Sequence, residues 1–322
     1  MLLYLFQRLM TGILTLFGMS VLIFILLRLV PGDIVDIIFS SAGFVNPAAK
    51  AELARELGVD QPIAVQYGRW LRDVAKGDLG KSYRYDVPAW QVVKPRIPVT
   101  LELAVLGILV AVVLGVFAGV LSAVRQDGAL DYVLRILSLA GLSIPSFWLG
   151  MMIILFLVSW TGWIPALTYV SPWQDLRAHL LQFIFPALAV GYRGSALIMR
   201  ITRSAMLEVL REDYVRTARA KGQREWPVVF RHALANAMLP IITVIGFEFA
   251  FMIGGLVVTE TVFNLPGVAR YLVDAILWRD YPVAQNLVML IAIVVVTVNL
   301  SVDLLYGYLD PRIRYGAGGD NR

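Results

Sequence analysis

The sequence contains no cysteine and only two histidines among its 322 residues. Disulfides and thiolate chemistry are therefore excluded. His179 and His232 fall on opposite sides of the membrane in the topology derived below, so they cannot build a histidine-rich metal cluster. Charge is scarce as well, at 16% of residues against about 25% in an ordinary soluble domain. No G-x-S-x-G or H-E-x-x-H signature occurs, so the common nucleophile and zinc chemistries lack their residues. Gly77-Asp78-Leu79-Gly80-Lys81-Ser82 ends like a phosphate-binding G-x-x-x-x-G-K-[ST] loop, but Ala75 stands where the first glycine is required, and a helical pattern precedes it where a strand should.

What fills the chain is apolar: 59% of residues are hydrophobic. They gather into blocks of about 20, enough to cross about 30 Å of hydrocarbon at 1.5 Å per helical residue. Six spans are expected: Leu9–Val30, Thr100–Val124, Leu134–Trp160, Leu180–Met199, Leu239–Val258 and Asn286–Leu309. The first is long for a signal-peptide core, and no small-x-small cleavage site follows it, so it is expected to remain as a helix. Lys and Arg of short loops are retained on the cytoplasmic side. With both termini inside, the inner segments hold fourteen of them: Arg8, Arg125, Arg135, eight across 200–237, and Arg312, Arg314 and Arg322. The short outer loops hold only Arg177, Arg270 and Arg279. The net charge of +5 thus reads as membrane topology, not as a nucleic-acid surface.

The expected organisation is an all-α polytopic membrane protein: a first transmembrane helix over 1–30, a periplasmic helical segment over 31–99, and a permease core over 100–322 that carries a cytoplasmic coupling loop at 200–237 between helices 4 and 5. In the outer segment, Asn46-Pro47 reads as an N-cap and first-turn proline, with Gly58 closing that helix. A second helix is expected from Pro62 to Ala75; its Ile63, Tyr67, Trp70, Leu71 and Val74 form one apolar face that needs either the spans and the first short helix, or a docked protein, against it. Gly107, Ala111, Gly115, Gly119 and Ala123 recur every four residues, a ridge built for close helix packing. Pro145 and Pro186 can kink the third and fourth spans. Arg193, Glu248 and Asp303 lie within spans, where ionisable groups mark pathways or pairs. Arg193 and Glu248 sit at similar depths in consecutive spans, so a buried contact between them, lining of a wet pathway, or snorkelling of Arg193 are the three readings left open.

The stretch 200–237 is long for a bundle connection yet still helical in pattern. Tyr214-Val215-Arg216-Thr217-Ala218-Arg219-Ala220-Lys221-Gly222 reads as an amphipathic helix with a glycine stop, and Trp226 to Leu234 as a second helix. The run from Arg216 to Asn236 resembles the cytoplasmic E-A-A-x3-G-x9-I-x-L-P loop of ABC-importer permeases. Gly222 supplies the fixed glycine and Leu234 matches; Arg216-Thr217-Ala218 replace Glu-Ala-Ala, His232 replaces the isoleucine, and Ala235 replaces the proline. R-T-A-R-A-K-G followed by H-A-L-x-N-A-x-L-P is similar to the dipeptide, oligopeptide and nickel branch. That resemblance extends to Leu29-Val30-Pro31-Gly32-Asp33, Gly77-Asp78-Leu79-Gly80, Thr100-Leu101-Glu102-Leu103-Ala104, Thr259-Glu260-Thr261-Val262-Phe263 and Asp303-Leu304-Leu305-Tyr306.

The resemblance implies a multi-pass permease of the bacterial inner membrane. Its implied partners are a second related permease subunit, two cytoplasmic ATPase subunits and an extracytoplasmic substrate-binding protein. It implies no cofactor in this chain, with ATP and Mg on the ATPases, and import of di- or oligopeptides or, by the same machinery, nickel chelates or oligosaccharides. Arg216, Thr217, Ala218, Arg219, Gly222, His232 and Leu234 then couple to the ATPase, and Arg193 and Glu248 belong to the translocation pathway. Two other classes stay open at this point. A secondary transporter would need repeat symmetry, which the sequence does not display; an intramembrane enzyme would need to use Arg193, Glu248 and Asp303.

Overall fold

The computed structural model describes residues 2–29, 34–42 and 47–309. The Asn46 cap, the Val30-Pro31-Gly32-Asp33 stretch, and Arg312, Arg314 and Arg322 lie outside those residues. Helices follow in the order α1 (Leu2–Leu29), α2 (Ile34–Ala42), α3 (Pro47–Leu57), α4 (Ile63–Ala75), α5 (Ala89–Val93), α6 (Ile97–Val124), α7 (Ala129–Ser143), α8 (Ser146–Thr161), α9 (Leu176–Val209) and α10 (Asp213–Ala220). A single turn α11 (Glu225–Pro227), a π-helical segment Val228–Leu234 and α12 (Ala235–Gly255) then run on as one rod, before α13 (Val257–Val262), α14 (Val268–Leu277) and α15 (Tyr281–Leu309). Among the described residues there is no strand, only an isolated bridge between Lys81 and Pro88.

Among the described residues, five helical stretches are long and apolar enough to cross a membrane: Phe6–Leu29, Ala89–Val124, Leu176–Val209, Glu225–Gly255 and Tyr281–Leu305. The expected third span is different. It is broken into α7 and α8, bent by 103°. Pro145 is the cause, because the residue before a proline is pushed out of the helical region: Ile144 sits at φ −86°, ψ 122°. The two pieces, of 15 and 16 residues, each reach only about 23 Å. Pro186, by contrast, stays inside α9. That helix also continues ten residues past Met199 to Val209. Arg200 and Arg203 end the apolar run but not the helix, since arginine is a good helix former.

The chain divides into two compact units. One comprises residues 2–100 and 266–296. Gly58 adopts φ +68° and closes α3 as expected. The apolar face of α4 meets α1 through aromatic contacts, with Tyr67 5.1 Å and Trp70 5.9 Å from the ring of Phe24. Ile23, Leu27, Val93, Val268, Tyr281 and Leu287 are core residues of this unit. Arg96 stacks 3.8 Å over the Tyr271 ring, and burial pushes the Tyr271 phenol far above its ordinary range although Arg96 pulls the other way. The near-match loop is absorbed structurally: Ser82 Oγ donates to Asp280 Oδ2 at 2.5 Å, and Asn286 Nδ2 donates to the Leu79 carbonyl at 2.7 Å.

The other unit comprises residues 101–265 and 297–309. Here the four-residue ridge of α6 packs on α9. A Cβ on Gly115 would lie 2.7 Å from Ile198 Cβ and 2.8 Å from the Ser195 carbonyl oxygen, and one on Gly119 would lie 2.6 Å from Thr202 Cβ. Close backbone approach is the only way two helices fit at that distance. Gly194 on α9 returns the contact, facing Ala111, Met252 and Glu248. The foot of the unit is closed by Val120, Ala123, Met206, Val229, Ala233 and Ile241.

Candidate coupling surface and buried charges

The coupling region is more compact than 200–237, because α9 and the 225–255 rod take up both of its ends. What remains outside them is residues 210–224, containing α10. Val215 and Ala218 bury one face of α10 against Val228. Its other face is polar and open. Arg216 Nη1 lies 3.4 Å from Asp213 Oδ1, Thr217 Oγ1 donates to the Asp213 carbonyl at 2.8 Å, and Arg219 holds Glu225 through Nε and Nη2 at 3.1 and 3.3 Å. Gly222 ends the helix at φ +74°, with open space where a Cβ would stand. His232 Nε2 and Gln223 Oε1 are 2.9 Å apart, fixing the turn to the π-helical segment. Leu234 packs into the apolar foot of the unit. The seven residues therefore form one short helix, one left-handed turn and the start of a rod. α10 thus packs on Val228 at the start of the rod, and the contact of His232 with Gln223 ties the intervening turn to it.

Sequence reasoning missed two features here. Trp226 is 70% exposed while its ring lies 4.0 Å from that of Phe230. A Trp-Pro pair at the start of an amphipathic helix was the available signal. The second is a charge network: Asp131 is wholly buried and receives Arg203 Nε at 2.9 Å, Arg203 Nη2 at 2.7 Å and the Asp127 amide at 3.0 Å, together with the Ser122 hydroxyl. It ties the ends of α6, α7 and α9 together.

Arg193 and Glu248 do not form an ion pair. The guanidinium of Arg193 lies 4.6 Å over the ring of Phe251, which stabilises the cation without a carboxylate. Glu248 is 5% exposed, and its Oε2 has no hydrogen-bond partner. It points toward Gly194, the residue after Arg193. A buried, unpartnered carboxyl oxygen is costly. The unit thus keeps a cation and an unsatisfied acceptor on adjacent helices, close enough to interact through space but without a direct ion pair.

At the other end of α9, His179 is nearly sealed off. Its Nε2 lies 2.6 Å from Glu102 Oε1 and its Nδ1 2.9 Å from the Val170 carbonyl, while Gln182 holds Val170 N and the Thr168 carbonyl. A carbonyl only accepts, so Nδ1 carries a proton, and the short contact to Glu102 must contain a second one. The connection between α8 and α9 is clamped by these three side chains.

Residues 85–315 match the family described as the binding-protein-dependent transport system inner membrane component, and residues 1–104 match its N-terminal component. The chain belongs to this family. It is 38% identical to the dipeptide transport system permease protein of Alkalihalophilus pseudofirmus, over 98% of this chain and 100% of that one. It is 40% identical to the dipeptide transport system permease protein of Escherichia coli, over 98% and 99% of the two chains. A probable peptide ABC transporter permease protein of Sinorhizobium fredii is 43% identical over 97% and 99%. Among solved structures, an inward-facing methionine ABC transporter component matches with a TM-score of 0.57 at 18% identity, over 69% of this chain and 98% of that one. The permease is a membrane-embedded, multi-pass inner membrane component of an ABC transport system, and the family is that of the membrane component, without catalytic chemistry of its own.

Proposed function

We propose that this permease imports short peptides, delivered from outside by a substrate-binding protein, and that ATP hydrolysis on cytoplasmic partner subunits drives it through residues 210–224. The observation that carries the coupling assignment is the packing of α10 on the start of the 225–255 rod across the Gly222 turn, which links an exposed basic surface to a spanning helix. Full-length similarity to the dipeptide permeases supports the substrate class. The working complex contains a second related permease subunit and two ATPases that carry ATP and Mg.

Arg193 and Glu248 are placed in the translocation pathway on chemical grounds. A short peptide is a zwitterion, and a path through hydrocarbon must offer each of its charges a counterpart. A cation stacked on an aromatic ring and a carboxyl without a direct partner provide both. The test is uptake of labelled dipeptide into cells carrying this permease with its partners. Arg193→Met and Glu248→Gln are each expected to reduce uptake at least about tenfold, the scale of one lost charge-assisted interaction. Wild-type uptake in both variants would remove these residues from the pathway, and ATP-driven uptake of nickel chelates or oligosaccharides in place of peptides would replace the substrate class.

Both termini and the coupling region are assigned to the cytoplasm, with 31–99 and 259–285 outside. The chain has no native cysteine, so a single Gln223→Cys reports position cleanly. An impermeant maleimide is expected to leave it unmodified in intact cells and to modify it after permeabilisation; labelling of intact cells reverses the topology.

A further inference from the structure

In the unit built on residues 101–265, α7 and α9 pack side by side, and three contacts fix their register. Asp131 receives Arg203, Ser138 Oγ donates to the Ala196 carbonyl at 2.9 Å, and a Cβ on Gly141 would stand 3.1 Å from Ala196 Cβ and 3.3 Å from the Tyr192 ring. Positions along α7 rise as those along α9 fall, so the helices are antiparallel and Arg135 comes level with Met199 and Arg200. Arg135 and Leu139, four apart, share one face of α7, and Arg200 and Arg203, three apart, share one face of α9. Arg135, Arg200 and Arg203 accordingly line one cavity of about 230 Å³, with Leu139 and Met199 in the same wall.

Carboxylates do not neutralise this cavity. Asp131 is taken up by Nε and Nη2 of Arg203, which leaves Nη1 over. Arg135 lies 5.5 Å over the Tyr132 ring, and neither it nor Arg200 forms an ion pair with another described residue. Like charges set side by side repel, and an anion between them removes that cost. Both guanidiniums are exposed, so an anion reaches them directly. The surroundings select which anion. Ile136, next to Arg135, is 64% exposed, and Leu139, in the cavity wall, is 56% exposed. A free inorganic ion would leave that apolar surface bare, whereas a phospholipid covers it with acyl chain while its phosphate accepts the paired bonds that guanidiniums offer. Basic pockets between spanning helices hold anionic head groups on these terms. A choline head would bring its own cation against the arginines; a glycerol head brings none.

We propose that the cavity between α7 and α9 is a site for an anionic phospholipid, its phosphate held by Arg135 and Arg200 and its acyl chains laid along the exposed face of α7. The site is separate from the pathway residues Arg193 and Glu248. Its place in the inner leaflet rests on the topology proposed above; its head-group chemistry does not. Arg200 ends the apolar run of α9, which is the level at which a phosphate would lie.

The experiment is native mass spectrometry of the purified full-length permease, titrated in detergent with phosphatidylglycerol, with phosphatidylcholine of the same acyl chains, and with inorganic phosphate as competitor. Phosphatidylglycerol is expected to be retained at least about tenfold more tightly than phosphatidylcholine, and millimolar phosphate is expected not to displace it. Arg135→Gln and Arg200→Gln are each expected to weaken phosphatidylglycerol about fivefold, and the two together about thirtyfold. Lys76→Gln, which removes an exposed charge at the end of α4, is expected to leave retention unchanged. Neither arginine belongs to the Asp131 network, and an unchanged unfolding temperature without lipid checks the fold of each variant; if the double variant does not fold, the single ones decide. The readout is lipid retention and not uptake, so it is independent of the transported substrate. Equal retention of the two lipids, displacement by millimolar phosphate, wild-type retention in the arginine variants, or an equal loss in Lys76→Gln would each overturn the assignment.

Discussion

Replacing Gly222 by tryptophan is expected to abolish uptake while leaving the permease in the membrane at its normal level. Gly222 adopts φ +74°, a region that costs an L-residue about 1–2 kcal/mol. The added side chain would meet no atom of this chain within 4 Å. The defect therefore comes from two sources that leave the transmembrane packing intact: a strained turn between α10 and the rod, and an indole projecting from the surface that has to seat on a partner. Asn tolerates the left-handed region and is short, so Gly222→Asn is expected to keep most activity. Labelled-peptide uptake, with membrane abundance measured in parallel, separates the outcomes. Normal uptake by the tryptophan variant would refute coupling through this turn.

The second large effect is on stability. Asp131→Ala removes the carboxylate that Arg203 grips through two nitrogens, and it leaves a guanidinium whose side chain is only 19% exposed. Breaking a buried pair from one side costs about 3–5 kcal/mol, mostly because the remaining charge is stranded. Removing both charges, as Asp131→Ala with Arg203→Met, is expected to recover part of that loss. Thermal unfolding of the purified permease in detergent provides the comparison. If the double variant loses the sum of the two single losses, the network is not a unit.

The spans were legible because hydrocarbon imposes a length, and the α6 ridge because small residues every four positions have one geometric meaning. Helix ends were less legible. Hydropathy falls at Arg200, where the bilayer should end, but backbone hydrogen bonding continues to Val209 with no dependence on that boundary. Pro145 and Pro186 look alike in the sequence, yet one breaks a helix and the other does not. The difference lies in the surroundings: residues of α9 on both sides of Pro186 are buried against neighbours, while α7 and α8 are largely exposed in this chain. The grip of Arg203 on Asp131 joins positions 72 apart, which no local pattern marks. Similar depth correctly brought Arg193 and Glu248 to adjacent helices, but depth does not fix the direction a side chain takes, and Phe251 claimed the guanidinium first.

The π-helical winding of Val228–Leu234 has a consequence for chain length. A π turn holds more residues than an α turn and occurs inside α-helices as a local surplus. Losing one residue between 228 and 234 can therefore be absorbed by reverting to ordinary winding, leaving the faces of α12 pointing as they do. The same deletion within α12 would rotate every side chain beyond it by about 100°. Glu248 would then leave its place beside Gly194, and Gly246 would no longer face Val302, whose Cγ2 now lies 2.2 Å from where a Cβ on that glycine would stand. A one-residue deletion on this side of the rod is thus expected to be tolerated only in the segment whose winding has slack.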